Sequence, residues 1–503
     1  RFGSFASKKV PEFNVAEENP ITSPIIKEVY SPDASALFMG YRFEGASSKD
    51  ADILEVMSSV LFNESAGLMD LNLNQQQKVL TCYAGSTILK DYSYLFLYGK
   101  PREGQTLEDV KSLILGQVDL LKQGKFSDEL IASIITDIKL SQIKNFESNR
   151  GRAFAFVNAF ILGEDWERII TFNERISKIT KQDIVEFANK HLQNNYVAVF
   201  KKTGEDKSVV KVVKPEITPV KVNRDVESDF VKNLINTPSP DVKPVFIDFK
   251  KDIQTVNLNG NVPLLYLKNN ENATFDLNMI TDIGTNNDRR LGLIGYYEYL
   301  GTSTQSAEQL KEAFYKIGCS YSVSAGNDRV VYSLSGLSEN FDKALDLFTD
   351  LLKNAKPDDA ALENLVSDIL KARKDAKLNK NSILSAMGQY GTYGPKSPFT
   401  NILSETELKG LNASELVNYY KTISNFKYRV HYYGPESSDK IALALNSKMK
   451  NENLQDVPGK VDYKELSETE NTVYVVNYDM VQAEIQMLSK GAETYDKSLA
   501  PYI

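Results

Sequence analysis

The feature that most constrains the fold is an internal repeat. Ala34 and Gly45 are matched by Ala273 and Gly284, each 239 residues further along the chain. The offset then falls slowly, to 237 and finally to 232 residues, at three further matched pairs: Cys82 with Cys319, Gly99 with Gly336, and Tyr196 with Tyr428. Small loop deletions produce such a drift, whereas chance similarity would not stay in register. The chain is therefore expected to contain two copies of one unit.

Both copies show the same order of predicted elements. A strand (36–43 and 275–283) is followed by an apolar helix (53–62 and 291–300). A hairpin, two amphipathic helices, a late helix and a final strand complete each copy. Strands grouped with helical hairpins, without strict alternation, predict an α+β fold of tandem sandwiches, in which helices cover one face of an antiparallel sheet.

The repeat also predicts where the domains begin and end. The expected segments are the tail of a preceding domain (1–14), a first unit (15–202), a linker (203–245), a second, degenerate unit (246–460) and the start of a further repeat (461–503). The linker is rich in lysine, valine and proline and has no clear periodicity. Two further strands are predicted in the last segment, at 473–476 and 482–488.

Composition excludes several classes of partner and site. The formal net charge is 59 − 67 = −8 and there is no basic run, so a nucleic-acid partner is not expected. No apolar stretch reaches the roughly 18 residues of a transmembrane segment. Only two cysteines and two histidines are present, which excludes a disulfide framework and a histidine cluster. His191 and His431 fall at non-equivalent positions of different copies, so a shared metal site is not expected.

The stretch from Gly292 to Ser324 resembles the pitrilysin/insulinase metallopeptidases, or inverzincins. Their zinc helix, H-x-x-E-H, is followed by a Gly-Thr pair, and Gly301-Thr302 follows the corresponding helix here. The segment Asn340–Leu347 is also typical of the family. The resemblance implies that the chain holds the second and third domains, without the zinc-binding first domain.

The resemblance also implies where a zinc site would lie. In the family, the two histidines bind zinc and the glutamate is the general base. Aligned on Glu298, the ligand positions here are Gly295 and Tyr299, and the nearest match to the third ligand is Asp368. The first copy has Val56, Ser59 and Val60 in place of the motif. No catalytic residue and no metal are therefore expected in this chain, and zinc is expected in the full-length protein.

Three residues are candidates for substrate contact. The resemblance implies that the region of Glu64 and Gly67 holds one end of a peptide, and the alternative is a plain connection between helices. Tyr296 lies in a tyrosine-rich stretch that suits peptide recognition, and the alternative is packing at a domain interface. The family also uses an arginine and a tyrosine together to polarise the substrate carbonyl. The resemblance implies that Gln75–Gln77 of the first copy occupies the place of that arginine, so Tyr83 lacks the arginine as its partner.

Two functions are consistent with these features. The first is the middle portion of a zinc-dependent endopeptidase that hydrolyses peptides in a closed chamber, inactive as an isolated chain. The alternative is a non-catalytic, peptide-binding partner subunit, as in processing-peptidase heterodimers. The expected partners are a peptide substrate and the missing N-terminal zinc domain and C-terminal domain, supplied by the same protein or by a partner subunit.

Overall fold

The fold is known from a computed structural model, which describes residues 9, 17–208, 216, 218, 226–238, 241, 243–244, 246–449, 452–467, 470–478 and 483–491. The expected tail of a preceding domain, residues 1–14, lies outside the described residues except for Lys9. None of the described helices is both long and apolar enough to cross a bilayer.

The first unit contains five strands and seven α-helices among its described residues. The strands are β1 (Ile25–Ser31), β2 (Ala36–Glu44), β3 (Thr81–Thr87), β4 (Tyr92–Lys100) and β5 (Tyr196–Thr203). The helices are α1 (Asp50–Leu61), α2 (Leu107–Lys122), α3 (Asp128–Glu147), α4 (Asn149–Leu162), α5 (Trp166–Ile170), α6 (Phe172–Ile176) and α7 (Lys181–His191). A π-helical turn, Asp70–Gln75, lies between α1 and β3.

The second unit follows a short helix, α8 (Asp229–Ile235), in the segment expected to be a linker without periodicity. Its strands are β6 (Gln254–Leu258), β7 (Val262–Lys268), β8 (Thr274–Thr281), β9 (Cys319–Ala325), β10 (Val330–Leu337) and β11 (Tyr428–Gly434). Its helices are α9 (Ala307–Lys316), α10 (Phe341–Asn354), α11 (Asp359–Ala376), α12 (Lys380–Tyr393), α13 (Glu405–Lys409), α14 (Ala413–Thr422) and α15 (Ser438–Lys448). A long 3-10 helix, Arg289–Tyr299, follows β8.

The two sheets share one topology. The first has the order β1-β5-β2-β4-β3, and the second has the order β6-β7-β11-β8-β10-β9, which adds only β6. Cys82 pairs with Gly99 in the first sheet, and Cys319 pairs with Gly336 in the second. The sequence repeat is thus also a repeat in strand register. The fold is α+β, as predicted.

Each sheet has a set of four antiparallel strands, as expected, and one parallel neighbour, and in the second sheet β6 pairs antiparallel with that neighbour. Strand β1 runs parallel to β5, and β7 runs parallel to β11. Along β4 the side chains alternate between buried and partly exposed, so one face packs on helices and the other is open. Leu95 and Leu97 belong to the buried face and are fully enclosed.

Local signals in the sequence set the starts of several helices. At α2 the Thr106 side chain accepts a hydrogen bond from the Asp109 N–H (3.1 Å), and the Asp109 side chain accepts one from the Thr106 N–H (3.0 Å). This reciprocal arrangement satisfies two donors that a helix start leaves unpaired. Thr180 and Asp183 repeat it at α7.

The structure differs from the sequence-based expectation at two places. The second apolar helix is wound as a 3-10 helix and not as an α-helix. Two glycines inside it, Gly292 and Gly295, disfavour α-helix. In the last segment no strand forms over 473–476 or over the described part of 482–488. That chain instead runs beside α12, where the Tyr474 and Tyr390 rings are 5.3 Å apart.

Candidate functional site at the interface of the two units

The degenerate motif lies on the 3-10 helix Arg289–Tyr299. Gly295 and Glu298 are exposed, and Tyr299 is half-buried. A Cβ atom added at Gly295 would meet nothing within 4 Å, so the position has room for a side chain. Residues four apart point about 40° from each other on an α-helix but about 120° apart on a 3-10 helix. Positions 295 and 299 therefore do not share one helix face here.

Asp368, the nearest match to the third ligand that the resemblance implies, is bound by an arginine from the other unit. The Arg102 Nε donates to Asp368 Oδ1 at 2.9 Å, and only 16% and 18% of the two side chains is exposed. The same guanidinium donates to the main-chain carbonyl of Asn364 at 3.0 Å and to that of Gln77. One arginine thus joins α11 of the second unit to two segments of the first.

The charges around this ion pair also act on Tyr299. Burial raises the pKa of Tyr299, the carboxylates of Glu298 and Asp368 raise it further, and Arg102 opposes them. Burial raises the pKa of Asp368 as well, although Arg102 lowers it through its charge and its hydrogen bond. The structure therefore gathers Glu298, Tyr299 and Asp368 in one place, around an arginine.

Two glutamines of the first unit close the interface. The Gln75 side chain donates to the main-chain carbonyl of Glu298 at 3.0 Å, and the Gln77 side chain donates to that of Ala361 at 3.2 Å. Both glutamines are buried, and Gln77 adopts a positive φ of 49°. Gln75 and Gln77 therefore join the two units by hydrogen bonds.

These residues do not fit a zinc ion. Gly295 has no donor atom, the raised pKa of Tyr299 keeps its hydroxyl neutral, and Asp368 already binds Arg102. A guanidinium beside the carboxylate would repel a metal cation. In the part of the chain that the structure describes, no group of three histidine, cysteine, aspartate or glutamate side chains is arranged to hold a metal.

The equivalent positions of the first unit belong to its core. Val56 and Val60 are fully buried on α1, and the Ser59 hydroxyl donates to the main-chain carbonyl of Glu55 at 3.1 Å. Both cysteines are buried, and burial raises the pKa of the Cys82 thiol to about 12. A reactive thiolate is therefore not available at either cysteine position.

Glu64 and Gly67 lie on a tight connection after α1. Glu64 is exposed and has a positive φ of 66°. Gly67 is buried, and its N–H and that of Asn63 donate to Asp70 Oδ2 at 3.0 and 2.8 Å. A Cβ atom at Gly67 would lie 2.7 Å from the same Asp70 oxygen. Close packing thus explains this glycine, and Glu64 alone of the pair faces solvent.

Tyr296 has no surface to offer a peptide. Its side chain is fully buried, and its hydroxyl donates to the main-chain carbonyl of Asp358 and accepts from the Asp358 N–H at 2.9 Å. Both bonds fix the start of α11 against the 3-10 helix. Tyr296 therefore packs inside the core of the second unit, whereas the alternative expected from the sequence was packing at a domain interface.

Sequence reasoning missed two residues at this interface. Arg102 lies in a plain turn after β4, and no motif marks it. Asp70 is the only acid in an otherwise apolar and amide-rich run, Leu68–Gln75, which is a signal for a buried carboxyl group. Burial raises the pKa of Asp70 to about 7, against the opposing effect of its two main-chain donors.

Comparison with known proteins identifies the family. The family model described as the peptidase M16 inactive domain matches residues 1–137, and that of insulinase (peptidase family M16) matches residues 297–394. Uncharacterized zinc proteases of Rickettsia felis and Rickettsia bellii are 33% and 32% identical over 84 residues, which is 16% of this chain and 20% of each relative. The chain therefore matches about a fifth of the length of these relatives.

Solved peptidase structures resemble the chain more broadly but more distantly. The ferredoxin protease FusC, in complex with Arabidopsis ferredoxin, is 12% identical with a TM-score of 0.47, over 91% of this chain and 54% of that one. The periplasmic protease PqqL of Escherichia coli is 12% identical with a TM-score of 0.37 and the same coverage. A peptidase M16 inactive domain from Pseudomonas fluorescens is 17% identical with a TM-score of 0.36, over 42% of this chain and 53% of that one. On the two family matches, which fall on different units, the chain belongs to the pitrilysin/insulinase (M16) metallopeptidase family.

Proposed function

We propose that the chain is the non-catalytic middle portion of a zinc-dependent endopeptidase, whose zinc site is supplied by another domain. The enzyme would hydrolyse peptides inside a closed chamber, and this chain would form part of the wall. The observation that carries the proposal is the ion pair between Arg102 and Asp368. Arg102 of the first unit binds Asp368, which the resemblance aligns most nearly with the family's third zinc ligand.

The chemistry of peptide hydrolysis supports a non-catalytic role. These peptidases need a metal-activated water and a base beside the peptide carbonyl. Glu298 is exposed, and among the described residues no group of side chains is arranged to hold a metal that would activate a water for it. The contacts of Gln75, Gln77 and Arg102 instead hold the two units as one body.

Metal analysis and a cleavage assay test the proposal. After dialysis the purified chain should hold no stoichiometric zinc and should not cleave an unstructured, internally quenched peptide. Adding a zinc domain with an intact H-x-x-E-H motif from the same protein should restore cleavage, and a chelator should abolish it. Chelator-insensitive cleavage by the chain alone, absent from a mock purification, would contradict the proposal.

The same reconstitution distinguishes a portion of one peptidase from a non-catalytic partner subunit, which is the alternative function. If a zinc domain on the same polypeptide restores cleavage, the chain is part of one peptidase. If cleavage appears only with a separate catalytic subunit, the chain is a peptide-binding partner subunit. In both cases one tightly bound zinc per isolated chain would overturn the account of the motif.

A further inference from the structure

The open face of the first sheet carries a group of aromatic side chains. They lie on three adjacent strands, and we name them the aromatic ladder: Phe38, Tyr83, Tyr94, Phe96 and Tyr98. By the alternation of each strand they point away from the helices that cover the opposite face. Tyr83 and Tyr94 are 39% and 41% exposed, and the other three are partly exposed. The ladder therefore forms an apolar surface outside the core.

Four of the five rings of the ladder, those of Phe38, Tyr83, Phe96 and Tyr98, contact one another. Tyr83 stacks on Tyr98 with centroids 4.6 Å apart, and Phe38 meets the edge of Tyr98 at 5.1 Å. Phe96 lies 5.9 Å from Tyr83 and 6.4 Å from Tyr98. These mutual contacts restrain the rings, so little side-chain entropy would be lost when a ligand binds to them.

The second sheet shows that the fold does not require these rings. Strand register identifies the equivalent positions, because Cys82–Gly99 and Cys319–Gly336 are matching pairs. Four ladder positions are polar there: Phe38 corresponds to Asp276, Tyr83 to Ser320, Phe96 to Ser333 and Tyr98 to Ser335. The same open face is thus serine-rich in one unit and aromatic in the other, so the rings serve something other than the sheet.

Charged side chains border the ladder unequally. At one end lie Lys100 of β4 and Lys201 of β5, and Lys201 is 3.6 Å from Asp33. At the other end Glu44 pairs in register with Tyr92, and Glu18 binds Arg42 at 3.4 Å. The Lys100 end is therefore the more positive, which favours an acidic group on a ligand there.

The size and spacing of the ladder fit a peptide better than a second copy of the chain. An aromatic side chain offers about 150–250 Å², so five rings at these exposures leave at most about 500 Å² open. A standard protein interface buries about 800 Å² on each partner. Side chains on one face of an extended peptide recur about every 7 Å, close to the 6.4 Å between the Phe96 and Tyr98 rings.

We propose that the aromatic ladder binds an extended peptide segment that has apolar side chains at alternate positions and an acidic group at the end beside Lys100. This inference rests on the proposed function, because it names a substrate class and a binding surface for the same peptidase. The site holds the peptide by ring contacts and one charge, and takes no part in the chemistry.

A serine exchange taken from the second unit tests the proposal in the full chain. The probe is a fluorescein-labelled peptide of about ten residues, which spans roughly 33 Å when extended, with phenylalanine or leucine at alternate positions and two aspartates at one end. The triple variant Y83S/F96S/Y98S gives the first sheet the side chains of the second. The matched control, S320A/S333A/S335A, changes the equivalent positions of the second sheet. Fluorescence anisotropy measures affinity, and thermal unfolding checks that each variant is folded.

We expect the triple variant to weaken binding about tenfold or more and the control to leave it unchanged. Replacing the two aspartates by lysines should weaken binding of the probe to the wild-type chain severalfold. Should the triple variant unfold, Y83S alone, on an edge strand, should still weaken binding about threefold. Equal affinity of wild type and the folded serine variant would overturn the proposal.

Two further outcomes would also overturn it. A wild-type chain that fails to bind the probe, while the added zinc domain still restores cleavage, would refute the ladder and leave the proposed function standing. A wild-type dimer in sedimentation velocity that becomes a monomer in the triple variant would show that the ladder binds a second copy.

Discussion

Removing the Arg102 guanidinium should destabilise the protein well beyond the loss of an ordinary surface ion pair. In the variant Arg102→Met, Asp368 loses its charge partner, and the carbonyls of Asn364 and Gln77 lose their donor. Breaking a fully buried pair by removing one partner costs about 3–5 kcal/mol. Because these side chains keep 16% and 18% exposure, we expect about 2–4 kcal/mol.

The unfolding experiment has a built-in reporter and a matched control. Trp166, on α5, is the only tryptophan, so its fluorescence follows the first unit, while far-UV circular dichroism follows both. The control Arg429→Met removes a more exposed ion pair, with Asp282 at 2.7 Å, and should cost less than about 1 kcal/mol. In urea, Arg102→Met should shift the midpoint of both signals, because both units share the interface.

The pH dependence gives a second check with a defined sign. Burial raises the pKa of Asp368 and Arg102 lowers it, so removing the arginine leaves only the raising effect. The neutral carboxyl then relieves part of the cost as pH falls, and the loss of stability in Arg102→Met should be larger at about pH 8 than at about pH 5. Adding Asp368→Leu should recover most of the loss, because no buried charge remains.

Two results would refute this reasoning. If Arg102→Met and Arg429→Met lower the free energy of unfolding equally, the interface pair is no stronger than a surface pair. If the double variant with Asp368→Leu is less stable than Arg102→Met, the cost does not come from an unpaired carboxylate.

Three further predictions concern Gly67, Asp70 and the pair of positions 295 and 299. Gly67→Ala should lower the free energy of unfolding by about 1–3 kcal/mol, because its Cβ would lie 2.7 Å from an Asp70 oxygen. The control Gly85→Ala, whose Cβ would meet no atom within 4 Å, should change it little. Equal losses in thermal unfolding would contradict this prediction. Burial raises the pKa of Asp70 to about 7, so the wild type loses stability as pH rises towards that value. Asp70→Asn should therefore gain stability relative to the wild type between about pH 5 and pH 8. A difference in stability that does not change with pH would show that the carboxyl does not titrate in this range. The double variant G295H/Y299H should still bind no stoichiometric zinc in equilibrium dialysis, because the 3-10 winding separates the two positions and Arg102 holds Asp368; one zinc per chain would contradict both points.

The fold was predictable where the repeat supplied two independent copies of the same pattern. The strand expected at 36–43 is Ala36–Glu44, and the helix expected at 53–62 is Asp50–Leu61. Strands β1 and β7 were missed, for different reasons. Strand β1 is exposed along almost its whole length, so it has no apolar alternation to find, and β7 begins directly after a short 3-10 turn at 259–261.

At the candidate site, the sequence predicts only which side chains are unsuited to zinc. Glycine and tyrosine at 295 and 299 already argue against zinc, because side-chain chemistry at a ligand position can be read from the sequence. The ion pair between Arg102 and Asp368 cannot be read from the sequence. The two residues are 266 positions apart and meet only when the two units pack together. The burial of Tyr296 was equally hidden, because it depends on α11.

The side chain of Asn74 covers one point on the edge of the first sheet. Its amide donates to the Cys82 carbonyl at 2.8 Å and accepts from the Cys82 N–H at 2.9 Å, as a neighbouring strand would. Strand β3 ends its sheet, and an exposed sheet edge is a template on which other chains can assemble. A chain that added to β3 at Cys82 would first have to displace both hydrogen bonds, at a cost of about 0.5–1.5 kcal/mol each. Asn74 thus occupies both main-chain hydrogen-bonding groups of Cys82, so another strand could pair with the edge at this residue only after displacing that side chain. The aromatic face of the same strand stays open.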